Sequence, residues 1–330
     1  MSTLLEVQDL HVRFSVGSLF SQMRGLPTEI EAVAGVSFSL ERGQTMALVG
    51  ESGSGKTTLA RAIAGLGGNV SGEVRFDGRD VLNLGRAERK ALRREVAVIF
   101  QDAVSSLSPR LTVRSLIREP FTIHGMACPK GEVERLLELV GLTAEMADRY
   151  PHELSGGQAR RVGVARALAL EPRLVIADEP TAGLDVSVQS EVLNLLNDLR
   201  ERLGLSLLII THNLNIVRHI ADRMAVMYLG RFVEIGDTVP IYEAPRHPYT
   251  KALLSANPII DPSARHDRIR LEGEVPSLMQ RPAGCEFHGR CPFARERCLT
   301  EAPPVTYEED RSFTCHFPLE AAGRVTEISS

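Results

Sequence analysis

The residues best suited to chemistry lie between positions 50 and 58, where the chain reads Gly-Glu-Ser-Gly-Ser-Gly-Lys-Thr-Thr. This stretch fits the phosphate-binding pattern of Gly, four residues, Gly, Lys and then Ser or Thr. Glycines let backbone N–H groups turn inward around phosphate oxygens, although a chance glycine-rich turn would look the same. The pattern predicts that Lys56 reaches the β- and γ-phosphates and that Thr57 faces Mg²⁺. The predicted nucleotide contacts are Gly50, Ser52, Gly53, Ser54, Gly55, Lys56, Thr57 and Thr58.

A pair of carboxylates follows the apolar run Leu174–Ala177. A carboxylate at the carboxyl end of a core strand lies close to a phosphate loop in sheets of parallel strands. Asp178 is therefore a candidate for holding Mg²⁺, and Glu179 for polarising a water that attacks the γ-phosphate. The alternative is a solvated acidic turn ahead of Pro180.

Two further polar residues follow predicted strands. Gln101 comes after Val96–Phe100, where an amide could contact Mg²⁺ or the attacking water, or simply end the strand. His212 comes after Leu205–Ile210, and a histidine in such a place is more often a cap or a packed ring than a catalytic group.

A second candidate anion site precedes the helical stretch Arg160–Leu170. The residues there are Leu154, Ser155, Gly156, Gly157 and Gln158. Serine and glycines at a helix start can cradle an anion, or serve only as a cap and a turn. A second cradle is understandable if it contacts a nucleotide held by another copy or another subunit.

The elements that must position these residues alternate between strand and helix. The apolar run Thr45–Val49 predicts a strand before the glycine-rich loop, and Leu59–Gly65 predicts a helix after it. Alternation of this kind predicts an α/β fold with a mostly parallel sheet. Residues 104–165 show helical segments without a convincing strand, which predicts an inserted helical subdomain. After about residue 250 prolines are frequent and periodicity is weak, so we expect one domain over 1–250 and a small C-terminal region over 251–330.

Bulk composition excludes several classes of protein. The 330 residues carry a net charge of −4, and only 5% of them are aromatic, which argues against a nucleic-acid-binding protein. No apolar run approaches the 18 residues of a membrane span. The first residues lack the basic region and apolar core of a signal peptide, so we expect a cytosolic protein.

Four of the five cysteines lie in the last fifth of the chain, at positions 285, 291, 298 and 315. Their spacing matches neither a zinc ribbon nor a standard ferredoxin. In a reducing compartment such a group favours metal over disulfides, and Zn²⁺, a 4Fe–4S cluster, free thiols and disulfides all stay open. Cys128 is expected to be a small apolar residue.

Taken together, these motifs resemble the ATP-binding subunits of ABC transporters. The resemblance rests on the order and spacing of Gly50–Thr58, Gln101, Leu154–Gln158, Asp178-Glu179, Ala182–Asp185 and His212. Within this family, the chain resembles the oligopeptide/dipeptide (peptide/nickel) importer branch. The residues that carry this closer resemblance are Gly50–Lys56, Ser106–Arg110, Asp185–Gln189, His247–Thr250, Gly284–Phe287, Arg290–Pro292, Cys298 and Cys315-His316. Ala103, Ala159–Arg161 and Ala182-Gly183 depart from the branch without removing a catalytic group.

The resemblance implies a role for each motif. Leu154–Gln158 is the signature motif, which contacts the ATP of a partner subunit, and Asp185 belongs to the loop that links the two sites. Glu179 is the catalytic base, His212 the switch residue at the γ-phosphate, and Gln101 a further catalytic group. Phe14 is expected to stack on adenine. Thr57, Gln101 and Asp178 hold Mg²⁺, and Cys285, Cys291, Cys298 and Cys315 hold a 4Fe–4S cluster.

The implied fold is a P-loop ABC-type nucleotide-binding domain with a small cysteine-containing C-terminal domain. The implied function is ATP hydrolysis that drives import of di- or oligopeptides or related small solutes. Its partners are two permeases, an external solute-binding protein and a second ATPase subunit, which in this branch is usually a paralogue. The protein is then peripheral, at the cytoplasmic face of the inner membrane. The alternative is an ATPase subunit of a soluble enzyme complex resembling carbon–phosphorus lyase.

Overall fold

The computed structural model describes residues 2–15, 29–100, 106–184, 186–256, 269 and 271–320, with 186 and 187 described by their backbone alone. Gln101 and Asp185 lie outside the described residues. The chain forms two compact units, one of residues 1–5, 40–45 and 76–210, and one of residues 6–39, 46–75 and 211–330.

The described strands are β1 Thr3–Ser15, β2 Glu29–Glu41, β3 Thr45–Val49, β4 Asn69–Phe76, β5 Arg79–Asp80, β6 Val96–Ile99, β7 Leu174–Asp178, β8 Ser206–Ile210, β9 Arg223–Tyr228, β10 Arg231–Asp237, β11 Val305–Tyr307 and β12 Arg311–Thr314. The described α-helices are α1 Lys56–Ile63, α2 Arg86–Glu95, α3 Val113–His124, α4 Glu132–Leu139, α5 Gly156–Leu168, α6 Val186–Leu203, α7 Leu214–Ile220, α8 Thr238–Glu243, α9 Pro248–Ala256 and α10 Glu296–Thr300. Short 3₁₀ turns cover Ala144–Asp148, Pro151–Glu153 and His288–Arg290. No helix within the described ranges is both long enough and apolar enough to cross a membrane.

The first unit is built on the parallel strands β6, β7 and β8. Leu174 pairs with Val96 on one side and with Ser206 on the other. Every residue of β7 and β8 is buried, as expected for parallel strands covered on both faces. The mostly parallel sheet predicted from the apolar runs is therefore present in this unit.

Helices follow one another through the described residues 106–168 of the first unit, and no strand occurs there. α3 begins after Thr112, whose hydroxyl accepts a hydrogen bond from the Ser115 N–H (3.3 Å), and ends at Gly125 with φ of 69°. A hydroxyl cap at the start and a left-handed glycine at the end are ordinary helix boundaries. The stretch agrees with the predicted lack of strands, while its status as an inserted subdomain stays a prediction.

The second unit combines parallel and antiparallel pairing. β3 runs parallel to β9, with Met46 opposite Arg223. β9, β10, β12 and β11 then pair antiparallel in that order, and β1 lies between β2 and β4. The antiparallel part was not predicted, because the sequence reading assigned no strand after residue 210.

Residues from the C-terminal stretch share the core of the second unit. Phe313 of β12 lies opposite Glu234 of β10, and Phe287 is 2% exposed in the same apolar cluster as Tyr228 and Tyr249. This stretch therefore gains burial from partners earlier in the chain. The division at residue 250 itself stays a prediction.

Candidate nucleotide-binding site

The glycine-rich loop lies between β3 and α1, as the flanking patterns predict, and close contacts explain two of its glycines. Gly50 has φ of 149°, and a Cβ there would lie 2.2 Å from the Met227 carbonyl oxygen. Gly55 has φ of 103°, and a Cβ there would lie 2.3 Å from the Ala32 carbonyl oxygen. Both positions therefore exclude any side chain, since β-carbon contacts below 3.0 Å do not occur.

Lys56 points back into this loop. Its side chain is buried, at 6% exposure, and Nζ donates hydrogen bonds to the carbonyls of Gly50 (2.8 Å) and Glu51 (2.7 Å) and to Ser54 Oγ (3.2 Å). An ammonium group held at a helix start beside inward-turned backbone groups is a suitable site for anionic phosphate oxygens.

Asp178 and Glu179 lie at the carboxyl end of β7 in the first unit. Asp178 is 5% exposed and pairs with Ile210 of β8. The Glu179 N–H donates to the Ile210 carbonyl oxygen at 2.9 Å, and Glu179 adopts φ of 47°. A left-handed conformation in a non-glycine residue costs about 1–3 kcal/mol and concentrates at functional positions. The sequence gives no sign of this strain.

Arg160 makes structural contacts that the sequence did not predict. It extends from α5, is 6% exposed, and donates to the carbonyls of Pro180 (2.6 Å) and Ala182 (2.9 Å). The guanidinium thus fixes the segment that follows Glu179, because its planar fork can bind two carbonyls at once. The sequence signal for this contact is the departure of Ala159–Arg161 from the branch pattern, which gives no sign of the carbonyl partners.

The candidate signature residues 154–158 form the start of α5. The Gln158 N–H donates to Ser155 Oγ (3.2 Å), and the Ser155 N–H donates to Gln158 Oε1 (3.0 Å). This is a capping box, so the predicted Ser-capped helix start is present. Ser155 and Gly156 are exposed, which leaves this helix start open to solvent.

His212 and Phe14 belong to the second unit. The Thr211 N–H donates to the Leu48 carbonyl oxygen (3.2 Å), which places the His212 backbone beside the end of β3, where the glycine-rich loop begins. Phe14 lies near the end of β1 and is 43% exposed. An exposed aromatic ring is available for stacking.

The four clustered cysteines line one cavity of about 10 Å³ together with His247, Phe287, His288, Phe293, His316 and Phe317. All four are free thiols, and burial raises the pKa of Cys291 and of Cys315 to about 12. Among the described residues, no group of three or more His, Cys, Asp or Glu side chains is arranged to hold a metal ion. The thiols thus converge on one place, but their separation in this conformation is not that of a metal site.

Comparison with known proteins agrees with the geometry. Residues 33–182 match the ABC transporter family, and residues 233–298 match the oligopeptide/dipeptide transporter C-terminal region. The chain is 45% identical to the oligopeptide transport ATP-binding protein AppF of Bacillus subtilis, over 95% of this chain and 97% of that protein. It is 43% identical to the di/tripeptide transport ATP-binding protein DppF of Pseudomonas aeruginosa, over 98% of this chain and all of that protein.

A solved dimer of an ATP-binding cassette in a post-hydrolysis state, bound to ADP and Pi, resembles this chain with a TM-score of 0.62 and 26% identity. The likeness covers 71% of this chain and 99% of that one. Together with the two relatives, this likeness identifies the fold as that of an ABC ATPase. The chain belongs to the ABC transporter ATP-binding proteins, in the branch that carries the oligopeptide/dipeptide transporter C-terminal region.

Proposed function

We propose that this chain hydrolyses ATP to drive the uptake of di- or oligopeptides, or related small solutes, through partner permeases. One observation carries the proposal: a single chain matches the ABC transporter family over 33–182 and the peptide-transporter C-terminal region over 233–298. A role in a soluble enzyme complex resembling carbon–phosphorus lyase is not favoured, because the relatives at 43–45% identity over nearly the whole chain are peptide transport proteins.

The proposed nucleotide site uses the loop Gly50–Thr58 for the phosphates and the exposed ring of Phe14 for adenine. Lys56 binds the β- and γ-phosphates, and its present hydrogen bonds to loop carbonyls support that assignment. Thr57, Gln101 and Asp178 are the proposed holders of Mg²⁺, which neutralises phosphate charge when bound.

Glu179 is the proposed general base. It accepts a proton from the water that attacks the γ-phosphate as the bond between the β- and γ-phosphates breaks. His212 is the proposed sensor of the γ-phosphate, and its place beside the end of β3 supports this. When the γ-phosphate leaves after hydrolysis, the charge that such contacts recognise is lost.

The signature residues 154–158 are proposed to bind the ATP of a second ATPase subunit, usually a paralogue in this branch, with Asp185 in the linking loop. The exposed start of α5 supports this, because a helix start that faces solvent can attract an anion from another chain. Loss of the γ-phosphate then weakens the contact between the subunits.

We further propose that helical residues 104–165 form a subdomain facing two permeases, that residues 1–250 form the nucleotide-binding domain, and that residues 251–330 form its C-terminal region. The protein is then peripheral at the cytoplasmic face of the inner membrane, and an external binding protein supplies solute to the permeases. The absence of strands from described residues 106–168 supports the helical subdomain.

The four cysteines are the proposed ligands of a 4Fe–4S cluster. Their convergence on one cavity as free thiols supports this, since such clusters are held by four thiolates. The cavity of about 10 Å³ is of the size of a single water site, so loading requires the side chains that line it to rearrange. Iron and sulfide assays on anaerobically purified protein test the proposal, with Cys298→Ala as the control that should lose both; wild-type protein without iron and sulfide contradicts it.

A Glu179→Gln pull-down from detergent-solubilised membranes tests the transport function. With ATP present, we expect two multi-span membrane proteins and a second ATPase to be recovered and identified by mass. Lys56→Ala is the matched control, which should lose the ATP-dependent part of the recovery. Recovery of soluble enzymes alone would overturn the transport function while leaving ATP hydrolysis intact.

A further inference from the structure

Glu51, inside the glycine-rich loop, makes an ion pair with a residue 239 positions further along the chain. Arg290 Nη1 donates to both carboxylate oxygens of Glu51, at 3.1 Å and 3.0 Å. The Arg290 side chain is 9% exposed and that of Glu51 is 26% exposed. A partly buried pair of this kind is screened less than a pair on the open surface.

The backbone of Glu51 is held on both sides. Its N–H donates to the Tyr249 hydroxyl oxygen at 2.9 Å, and its carbonyl oxygen accepts from Lys56 Nζ at 2.7 Å. A displacement of Glu51 therefore displaces an acceptor of the lysine ammonium. Through this single residue, Arg290 and Tyr249 are connected to the group proposed to bind the phosphates.

Arg290 and Tyr249 rest on a rigid aromatic cluster. The rings of Tyr228, Tyr249 and Phe287 lie 4.8 to 5.3 Å apart, and each is at most 2% exposed. The Arg290 N–H donates to the Phe287 carbonyl oxygen (3.0 Å), which closes the 3₁₀ turn His288–Arg290. Residues held this firmly can fix the position of a flexible loop.

We infer that Arg290 and Tyr249 are positioning residues for the phosphate loop: through Glu51 they hold Lys56 in the geometry that binds ATP phosphates. The inference rests on the proposed assignment of Gly50–Thr58 as the phosphate loop. The simpler reading is that the pair only attaches the C-terminal stretch to the unit. That reading predicts an effect on thermal stability and none on ATP affinity.

The test is a fluorescence titration of the purified full chain with mant-ATP. Loss of the pair in Arg290→Gln should weaken binding about 10-fold, the effect expected from removing a partly buried, charge-assisted contact. Arg290→Lys should restore part of the affinity, because it keeps the positive charge while replacing the guanidinium with an ammonium group. Tyr249→Phe should weaken binding a few-fold, since only a neutral acceptor is lost.

Arg75→Gln is the matched control. Arg75 also binds both oxygens of a glutamate, Glu73, at 3.3 Å and 3.0 Å, but on the exposed face of β4. Its mant-ATP affinity should stay within about two-fold of wild type, as surface pairs contribute little. A double-mutant cycle of Glu51→Gln with Arg290→Gln should be non-additive, with the double variant no weaker than the worse single variant.

The Lys56→Ala variant distinguishes failure of the positioning role from failure of the phosphate-loop assignment. If Lys56→Ala loses mant-ATP binding while both Arg290→Gln and Tyr249→Phe bind within two-fold of wild type, the positioning role is wrong and the loop assignment stands. If Lys56→Ala binds like wild type, the loop assignment itself is wrong. Should Arg290→Gln fail to fold, Arg290→Lys and Tyr249→Phe decide between the same outcomes.

Discussion

Gly55 gives the sharpest test of the glycine-rich loop, because a single methyl group there meets a fixed backbone atom. In Gly55→Ala the new Cβ would lie 2.3 Å from the Ala32 carbonyl oxygen, 1.1 Å short of the 3.4 Å at which ordinary contact begins. The carbonyl belongs to β2 and cannot rotate away as a side chain would. The loop and the strand must therefore separate.

The expected loss has two parts. An alanine at φ of 103° is strained by about 1–2 kcal/mol. Forced separation of packed backbone adds about 1–3 kcal/mol, the usual range for overpacking. Gly53→Ala is the matched control: φ is 79° and nothing lies within 4 Å of its Cβ. It should lose only the strain, about 1–2 kcal/mol, against roughly 2–5 kcal/mol for Gly55→Ala.

Urea unfolding of the nucleotide-free protein measures both losses, with the midpoint compared at a constant slope. Working without nucleotide matters, because both glycines are predicted to contact phosphate and both variants should bind ATP poorly. Equal losses of unfolding free energy in the two variants would refute the close approach of Gly55 to β2.

Three further perturbations have directions fixed by the structure. Glu179→Gln should bind mant-ATP as wild type does and lose about 10²- to 10⁴-fold in steady-state ATPase rate, and an unchanged rate would rule out the proposed base. Arg160→Lys should lower the unfolding free energy by about 1–3 kcal/mol, since one ammonium cannot replace the fork on Pro180 and Ala182; a loss no larger than that of Arg75→Lys would show that the fork contributes nothing. Burial raises the pKa of Glu234 above its usual 4.5, so the folded chain binds a proton at this carboxylate more tightly than the unfolded chain does. The folded chain therefore loses stability as the pH rises from the unfolded pKa towards the folded pKa. Relative to Glu234→Gln, wild type should therefore lose unfolding free energy as the pH rises above about 4.5, and parallel profiles would argue against the shift.

Local patterns predicted the parts of the site that are local. The strand Thr45–Val49 and the Ser155-capped helix were read from apolar runs, glycines and a capping residue, all within a few positions of each other. The strands β6, β7 and β8 were also recognised, because buried parallel strands form continuous apolar runs. Their ends differ from the predicted ends by one residue at most.

Contacts between distant positions left no such pattern. The Glu51–Arg290 pair spans 239 residues, and nothing in the neighbourhood of either residue indicates the other. The four residues of β12 are too few for alternation to stand out, although they pair with β10. Arg160 was visible only as an unusual residue, because its partners are backbone carbonyls, which every residue carries.

The C-terminal stretch also explains why weak periodicity is a poor guide to order. A segment with few apolar residues of its own cannot bury enough surface to fold separately. Phe287 gains burial by packing on Tyr228 and Tyr249. Each aromatic pair of this kind stabilises the fold by about 0.5–1.5 kcal/mol beyond the contribution of the area it buries. The turn that follows Phe287 carries Arg290 to Glu51. The packing that orders this stretch therefore also supports the contact of Arg290 with Glu51 in the glycine-rich loop, so the stability of the stretch and the geometry of Lys56 depend on the same rings.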